Sequence, residues 1–118
     1  MQYCKSLSNY FRFKTRVVKV GNLEIGGDNP IAIQSMTITD TMDTIATVEE
    51  SIRMIEAGCE LVRITAPSKK EAKNLQNIKD ELRKRGYNTP IVADIHFTPN
   101  AAEVAACIVE KVRINPGN

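Results

Sequence analysis

Five residues near the ends of three short apolar segments carry the strongest chemical signal in this sequence: Arg63, Asp94, His96, Arg113 and Asn115. The segment Leu61-Val62-Arg63-Ile64-Thr65 alternates with period two, which places Arg63 and Thr65 on one face of a strand. The segment from Ile91 to Phe97 places Val92, Asp94 and His96 on one face, with Ile91, Ala93, Ile95 and Phe97 on the other. In the last segment Lys111, Arg113 and Asn115 lie opposite Val112 and Ile114. Strands covered on both sides of a parallel sheet are nearly all apolar. These three depart from that rule in one consistent way, each with a face that turns polar toward its C-terminal end. An unpartnered buried ion costs several kcal/mol, so these side chains must pair with one another or hold a ligand. A self-satisfied pair, Arg63 with Asp94 for example, is one solution. A ligand site accounts better for two guanidiniums, a carboxylate, an imidazole and an amide converging at strand ends. Guanidinium binds phosphate through paired donors, and Asp94 and His96 suit proton transfer or the ordering of hydroxyls. The residues alone point to an anionic, phosphorylated small molecule and name no reaction.

The elements that must position this face alternate in period along the chain. Residues 16–25 read as two short strands around Gly21-Asn22, a hairpin signal. Gly26-Gly27-Asp28-Asn29-Pro30 is a turn cluster, and Ile31 to Ser35 reads as a buried strand. Residues 37–46 form a loop rich in Thr and Asp. Thr47-Val48-Glu49-Glu50 fits a capping box opening a helix whose apolar face is Val48, Ile52, Ile55 and Cys59, with Gly58 at its end. Leu61 to Ala66 is the next strand, and Pro67 closes it. Ser68-Lys69-Lys70-Glu71 is a second capping box, followed by the stripe Ala72, Leu75, Ile78 and Leu82. The strand from Ile91 to Phe97 leads into Thr98-Pro99, an N-cap with proline at the first helical position, and a helix from Ala101 to Val109. Lys111 to Asn115 opens a further strand. The order is a hairpin followed by alternating strands and helices, which implies an α/β fold with a parallel sheet. An open doubly wound sheet and the first three to four units of a (β/α)8 barrel both fit. A barrel needs about 250 residues, so the barrel reading expects this chain to be a fragment.

Composition narrows the class. The chain has 118 residues, 42% apolar, and a formal net charge of +2, which suits one modest core. Nothing in it resembles a membrane span or a secretory leader, so a cytoplasmic protein is expected. The three cysteines, Cys4, Cys59 and Cys107, lack the close spacing of a zinc or redox pair. They are read as reduced thiols, with Cys59 packing in a core, and no metal site is expected within residues 1–118. Residues 1–20 carry five basic side chains and no acid, while the remainder carries a net charge of −3. Residues 1–15 are read as a basic, solvated arm and residues 16–118 as the folded part. The acidic body offers no basic face for nucleic acid.

At the same positions the sequence resembles the N-terminal barrel of the 4-hydroxy-3-methylbut-2-enyl diphosphate synthase family. The segments that carry the resemblance include Gln34-Ser35-Met36-Thr37 and Val62-Arg63-Ile64, and above all Val92-Ala93-Asp94-Ile95-His96-Phe97 and Arg113-Ile114-Asn115-Pro116-Gly117-Asn118. Arg85-Gly86-Tyr87 and Phe97-Thr98-Pro99-Asn100-Ala101-Ala102 resemble the longer, three-domain form of that family. The resemblance implies a reductive opening of 2-C-methyl-D-erythritol 2,4-cyclodiphosphate on the methylerythritol phosphate route to isoprenoids. The two electrons would come from ferredoxin or flavodoxin through a [4Fe–4S] cluster on another domain, whose ligands would lie beyond Asn118. Arg63, Arg113 and Asn115 would bind the diphosphate, and Asp94 and His96 would act on the substrate. This segment alone is expected to be inactive. A pterin-binding barrel of the dihydropteroate synthase kind, or a non-catalytic module for a phosphate-bearing ligand, are the alternatives. Exposed strand edges favour self-association, so a homo-oligomer is expected.

Overall fold

The computed structural model of the chain describes residues 4–117. Residues 4–17 carry no helix or strand. An antiparallel hairpin follows, β1 (Val18–Val20) and β2 (Leu23–Ile25), with Val20 paired to Leu23. The turn is tight because Gly21 takes φ 61°, a conformation that glycine adopts without steric cost.

Four parallel strands then form one sheet in chain order: β3 (Gln34–Met36), β4 (Leu61–Thr65), β5 (Ile91–Ile95) and β6 (Lys111–Ile114). Between them run α1 (Thr44–Glu56), α2 (Lys69–Lys84) and α3 (Pro99–Ala106). The period-two reading of β4 and β5 holds. Val62, Ile64, Ile91, Ala93 and Ile95 meet the helices in one core with Val48, Leu75, Ile78 and Leu82. Leu75, Ile78 and Leu82 are fully buried, and truncating any of them to Ala is expected to cost about 2–5 kcal/mol. On the other sheet face a smaller cluster joins Leu61 and Val92 to Val20, with Leu23, Ile25 and Ala32 around it. The hairpin therefore covers the N-terminal part of that face and leaves its C-terminal part to the polar side chains.

Several local expectations are corrected. The apolar run expected as a buried strand from Ile31 to Ser35 pairs only from Gln34 to Met36, and Ile31 and Ile33 are 84% and 57% exposed. β3 is an edge strand, bonded among the described residues to β4 alone, so hydrophobicity there does not report burial. The first helix starts at Thr44, not Thr47, because Asp43 caps it by accepting from the Ala46 N–H at 3.1 Å. Glu50 does not close a capping box with Thr47; its carboxylate accepts from the backbone N–H groups of Ile38 and Thr39. In the second box Ser68 caps α2 as expected, accepting from Lys70 N–H and bonding the Glu71 carboxylate, but the reciprocal bond from Glu71 to the Ser68 N–H is not formed. Thr98 is the N-cap residue of α3 with Pro99 at its first turn, as expected, but its side chain makes no capping bond and its hydroxyl donates to the Pro67 carbonyl. The third helix runs from Pro99 to Ala106, and β5 ends at Ile95 rather than Phe97.

Candidate functional site

Parallel register sets Thr65 beside Asp94, and Asp94 beside Arg113. With Arg63 two residues before Thr65 on the same face, three strands deliver side chains to one spot. Asp94 is at its centre, with 1% of its side chain exposed. Arg63 Nη2 donates to Asp94 Oδ2 at 2.7 Å, and Arg113 Nη1 donates to Oδ1 at 3.0 Å. His96 lies one residue past the strand, yet its Nε2 reaches Asp94 Oδ2 at 3.3 Å. Burial alone would raise the Asp94 pKa, but the hydrogen bonds from Arg63 and Arg113 and the charge of Arg63 outweigh it and hold the carboxyl below its ordinary value. Asp94 is therefore an ionised anchor that fixes both guanidiniums.

The three side chains around Asp94 keep an open side. Arg63, His96 and Arg113 are 26%, 32% and 38% exposed, and Arg63 Nε has no partner among the described residues. Two guanidiniums around one carboxylate leave a surplus of positive charge. In a parallel sheet the helix N-termini lie at the same end as the strand C-termini, so the positive ends of the α2 and α3 dipoles add to it. Such a place favours an anion with several oxygens, a phosphate above all.

Of the five residues read from the sequence, the structure brings Arg63, Asp94, His96 and Arg113 together. Asn115 makes no hydrogen bond to these four, although it lines a cleft with His96. β6 ends at Ile114, alternation lapses, and the Asn115 side-chain oxygen accepts from Gly117 N–H at 3.0 Å. That cleft, of about 260 Å³, is also lined by Phe97, Thr98 and Ile114. Residue Asn118 of the matching motif lies outside the described residues.

Sequence reasoning missed what braces the Thr/Asp loop between β3 and α1. Glu50 clamps its start, and Asn74 Nδ2 donates to the Thr41 carbonyl at 2.7 Å and to Thr44 Oγ1 at 3.0 Å. Asn74 sits next to Leu75 on α2 and is buried. An amide beside an apolar stripe was the only available signal, and it does not say what the amide holds.

Alternating strands and helices, with basic side chains gathered at the strand C-terminal ends, have the arrangement of part of a β/α barrel. The model of the GcpE TIM-barrel domain matches residues 15–118, and the chain belongs to that family. It is 57% identical over 116 residues to a protein of Akkermansia muciniphila named 4-hydroxy-3-methylbut-2-en-1-yl diphosphate synthase (flavodoxin), covering 98% of this chain and 20% of that one. Proteins of the same name from Parabacteroides distasonis and Leptospira interrogans are 58% and 53% identical over 110 and 117 residues. Those matches cover 93% and 99% of this chain and 18% of each relative. The chain thus spans about a fifth of the length of the curated relatives it matches.

Proposed function

We propose that the complete protein to which this segment belongs reductively opens 2-C-methyl-D-erythritol 2,4-cyclodiphosphate to 4-hydroxy-3-methylbut-2-enyl diphosphate in isoprenoid biosynthesis, with flavodoxin as electron donor. The observation that carries the reading is the convergence of Arg63, His96 and Arg113 on ionised Asp94 at the strand C-terminal ends. The names of the relatives support the reaction and the donor. Arg63 and Arg113 hold diphosphate oxygens, and Asn115 donates to the same group from Nδ2, since its bond to Gly117 uses only Oδ1. Asp94 keeps the guanidiniums in place, and with His96 it orients the substrate. No observation favours a pterin-binding barrel or a stand-alone phosphate-binding module.

A [4Fe–4S] cluster, the group that would deliver the electrons, does not fit the residues present. Cys59 is buried, with its thiol donating to the Leu61 carbonyl, while Cys4 and Cys107 are exposed. Among the described residues no three His, Cys, Asp or Glu side chains are grouped to hold a metal ion. Our reading assigns the cluster to other parts of the complete polypeptide and derives no step through it. Among the described residues no helix is long and apolar enough to cross a membrane. A cytoplasmic homo-oligomer, with residues 1–15 as a basic arm outside the barrel, completes the proposal.

The test is turnover of the cyclic diphosphate by the complete protein with reduced flavodoxin, under anaerobic conditions. Arg63→Ala and Arg113→Ala should each weaken substrate binding about 10-fold, the worth of one charged hydrogen bond. Unchanged affinity in both variants would remove the diphosphate assignment. Failure of the unaltered protein to form product would remove the reaction.

A further inference from the structure

We propose that the cleft between the β3–α1 and β4–α2 loops is a second subsite, which takes the uncharged, hydroxyl-bearing part of the ligand whose phosphates Arg63 and Arg113 hold. This rests on the anion-site reading above. The cleft has a volume of about 460 Å³, and its polar lining is Thr37, Thr39, Asp40, Thr41, Thr65 and Glu71. No Lys or Arg is among its described lining residues, so it suits hydroxyl groups, which both donate and accept, better than phosphate.

Its place in the sheet ties it to the anion site, because Thr65 is the cross-strand neighbour of Asp94. One ligand can therefore occupy both, its charged end toward the arginines and its hydroxyls toward the threonines. Two hydroxyls are uncommitted. Thr65 Oγ1 makes no hydrogen bond within the described residues, although the Thr65 carbonyl accepts from Thr41 at 2.6 Å. Thr37, only 4% exposed, has its hydroxyl unpartnered in the cleft wall. For Thr37 a buried hydroxyl left without a partner is unfavourable, and the half-buried Thr65 hydroxyl faces the same cleft, where a ligand oxygen can bond both.

The rest of the wall is already held. Glu50 accepts from Ile38 and Thr39 N–H, Thr47 Oγ1 donates to the Asp40 carbonyl at 3.0 Å, and Asn74 Nδ2 donates to the Thr41 carbonyl. A loop braced at four consecutive residues loses little freedom when a ligand arrives.

The experiment compares two probes on the complete protein, the cyclic diphosphate and inorganic diphosphate, by titration calorimetry. Thr65→Val keeps the side-chain shape and removes the hydroxyl. It should raise the Kd of the cyclic diphosphate about 3- to 10-fold, the worth of one neutral hydrogen bond, and leave the Kd of inorganic diphosphate unchanged. Thr65→Ser restores the hydroxyl and should restore affinity, which separates the hydroxyl from any fault in folding. An unchanged Kd for the cyclic diphosphate in Thr65→Val, or an equal rise for both probes, overturns the subsite. Arg113→Ala should weaken both probes. If it weakens neither, the anion-site reading itself has failed, an outcome distinct from failure of the threonine cleft alone.

Discussion

Asp94 and Glu110 each draw two basic side chains, one toward the C-terminal end of the parallel sheet and the other at its N-terminal end. Around Asp94 stand Arg63 and Arg113; around Glu110 stand Lys79 at 3.1 Å and Arg83 at 2.8 Å. Both carboxyls lie below their ordinary pKa. For Glu110, burial pushes upward and is outweighed by the Ile91 N–H bond and the Lys79 ammonium.

The surroundings of the cations differ. Lys79 also donates to the Ile108 carbonyl, and Arg83 to the carbonyls of Tyr87 and Thr89. Those carbonyls follow the C-termini of α3 and α2, where the helix dipole is negative. The N-terminal end of the sheet thus saturates its cations with protein oxygens, and the group is a brace joining α2, α3 and β5. At the C-terminal end the helix dipoles are positive, and Arg63 and Arg113 have no protein acceptor besides Asp94 among the described residues, although Arg63, Lys79 and Arg83 are equally exposed at 26%. The same ion-pair chemistry gives a staple at one end and a receptive site at the other.

The largest test of this contrast is Asp94→Ala. It leaves two guanidiniums facing each other without their anchor, and the fold should lose about 2–3 kcal/mol by urea titration. That is below the usual cost of breaking a buried pair because solvent reaches both arginines. Turnover should fall with it. Next, Glu110→Ala should cost about 2 kcal/mol, because it strands Lys79, Arg83 and the Ile91 N–H, yet leave the Kd of inorganic diphosphate unaltered. A loss of diphosphate affinity in Glu110→Ala would erase the distinction between the two ends. Arg113→Ala should show the reverse pattern, with about 10-fold weaker diphosphate binding and a stability change under about 1 kcal/mol, since one partly exposed pair is lost.

The smallest effect is in pH. A carboxyl whose folded-state pKa is depressed stabilises the fold above its unfolded value, near about 4, and loses that contribution as pH falls through the folded value. Stability should therefore drop below pH about 4, and Glu110→Gln should make that drop shallower. An acid limb of unchanged slope in Glu110→Gln would mean that Glu110 is not an ionised brace.

Much of the candidate site was legible because period two is a local property. Once β4, β5 and β6 were recognised, Arg63, Asp94 and Arg113 had to share a face. The interior stripe of α2 was legible for the same reason, with Ala72, Leu75, Ile78 and Leu82 all fully buried. The strand at Ile31–Ser35 was misplaced because hydrophobicity signals burial only where something covers the chain, and an edge strand has no neighbour on one side.

The sequence by itself determined the order of strands and helices, the polar face, and the motifs that place the chain in its family. These depend on residue spacing within single elements and on short contiguous words. Tertiary structure alone decided that Asp94 is shared by both arginines, that Glu50 clamps a loop instead of capping its own helix, and that Glu110 gathers Lys79 and Arg83. Each of those partnerships joins residues 10 or more positions apart, as with Glu50 and Ile38, 12 apart, or Arg63 and Asp94, 31 apart. Register between strands and the packing of helices on the sheet set such distances, and no local periodicity encodes them.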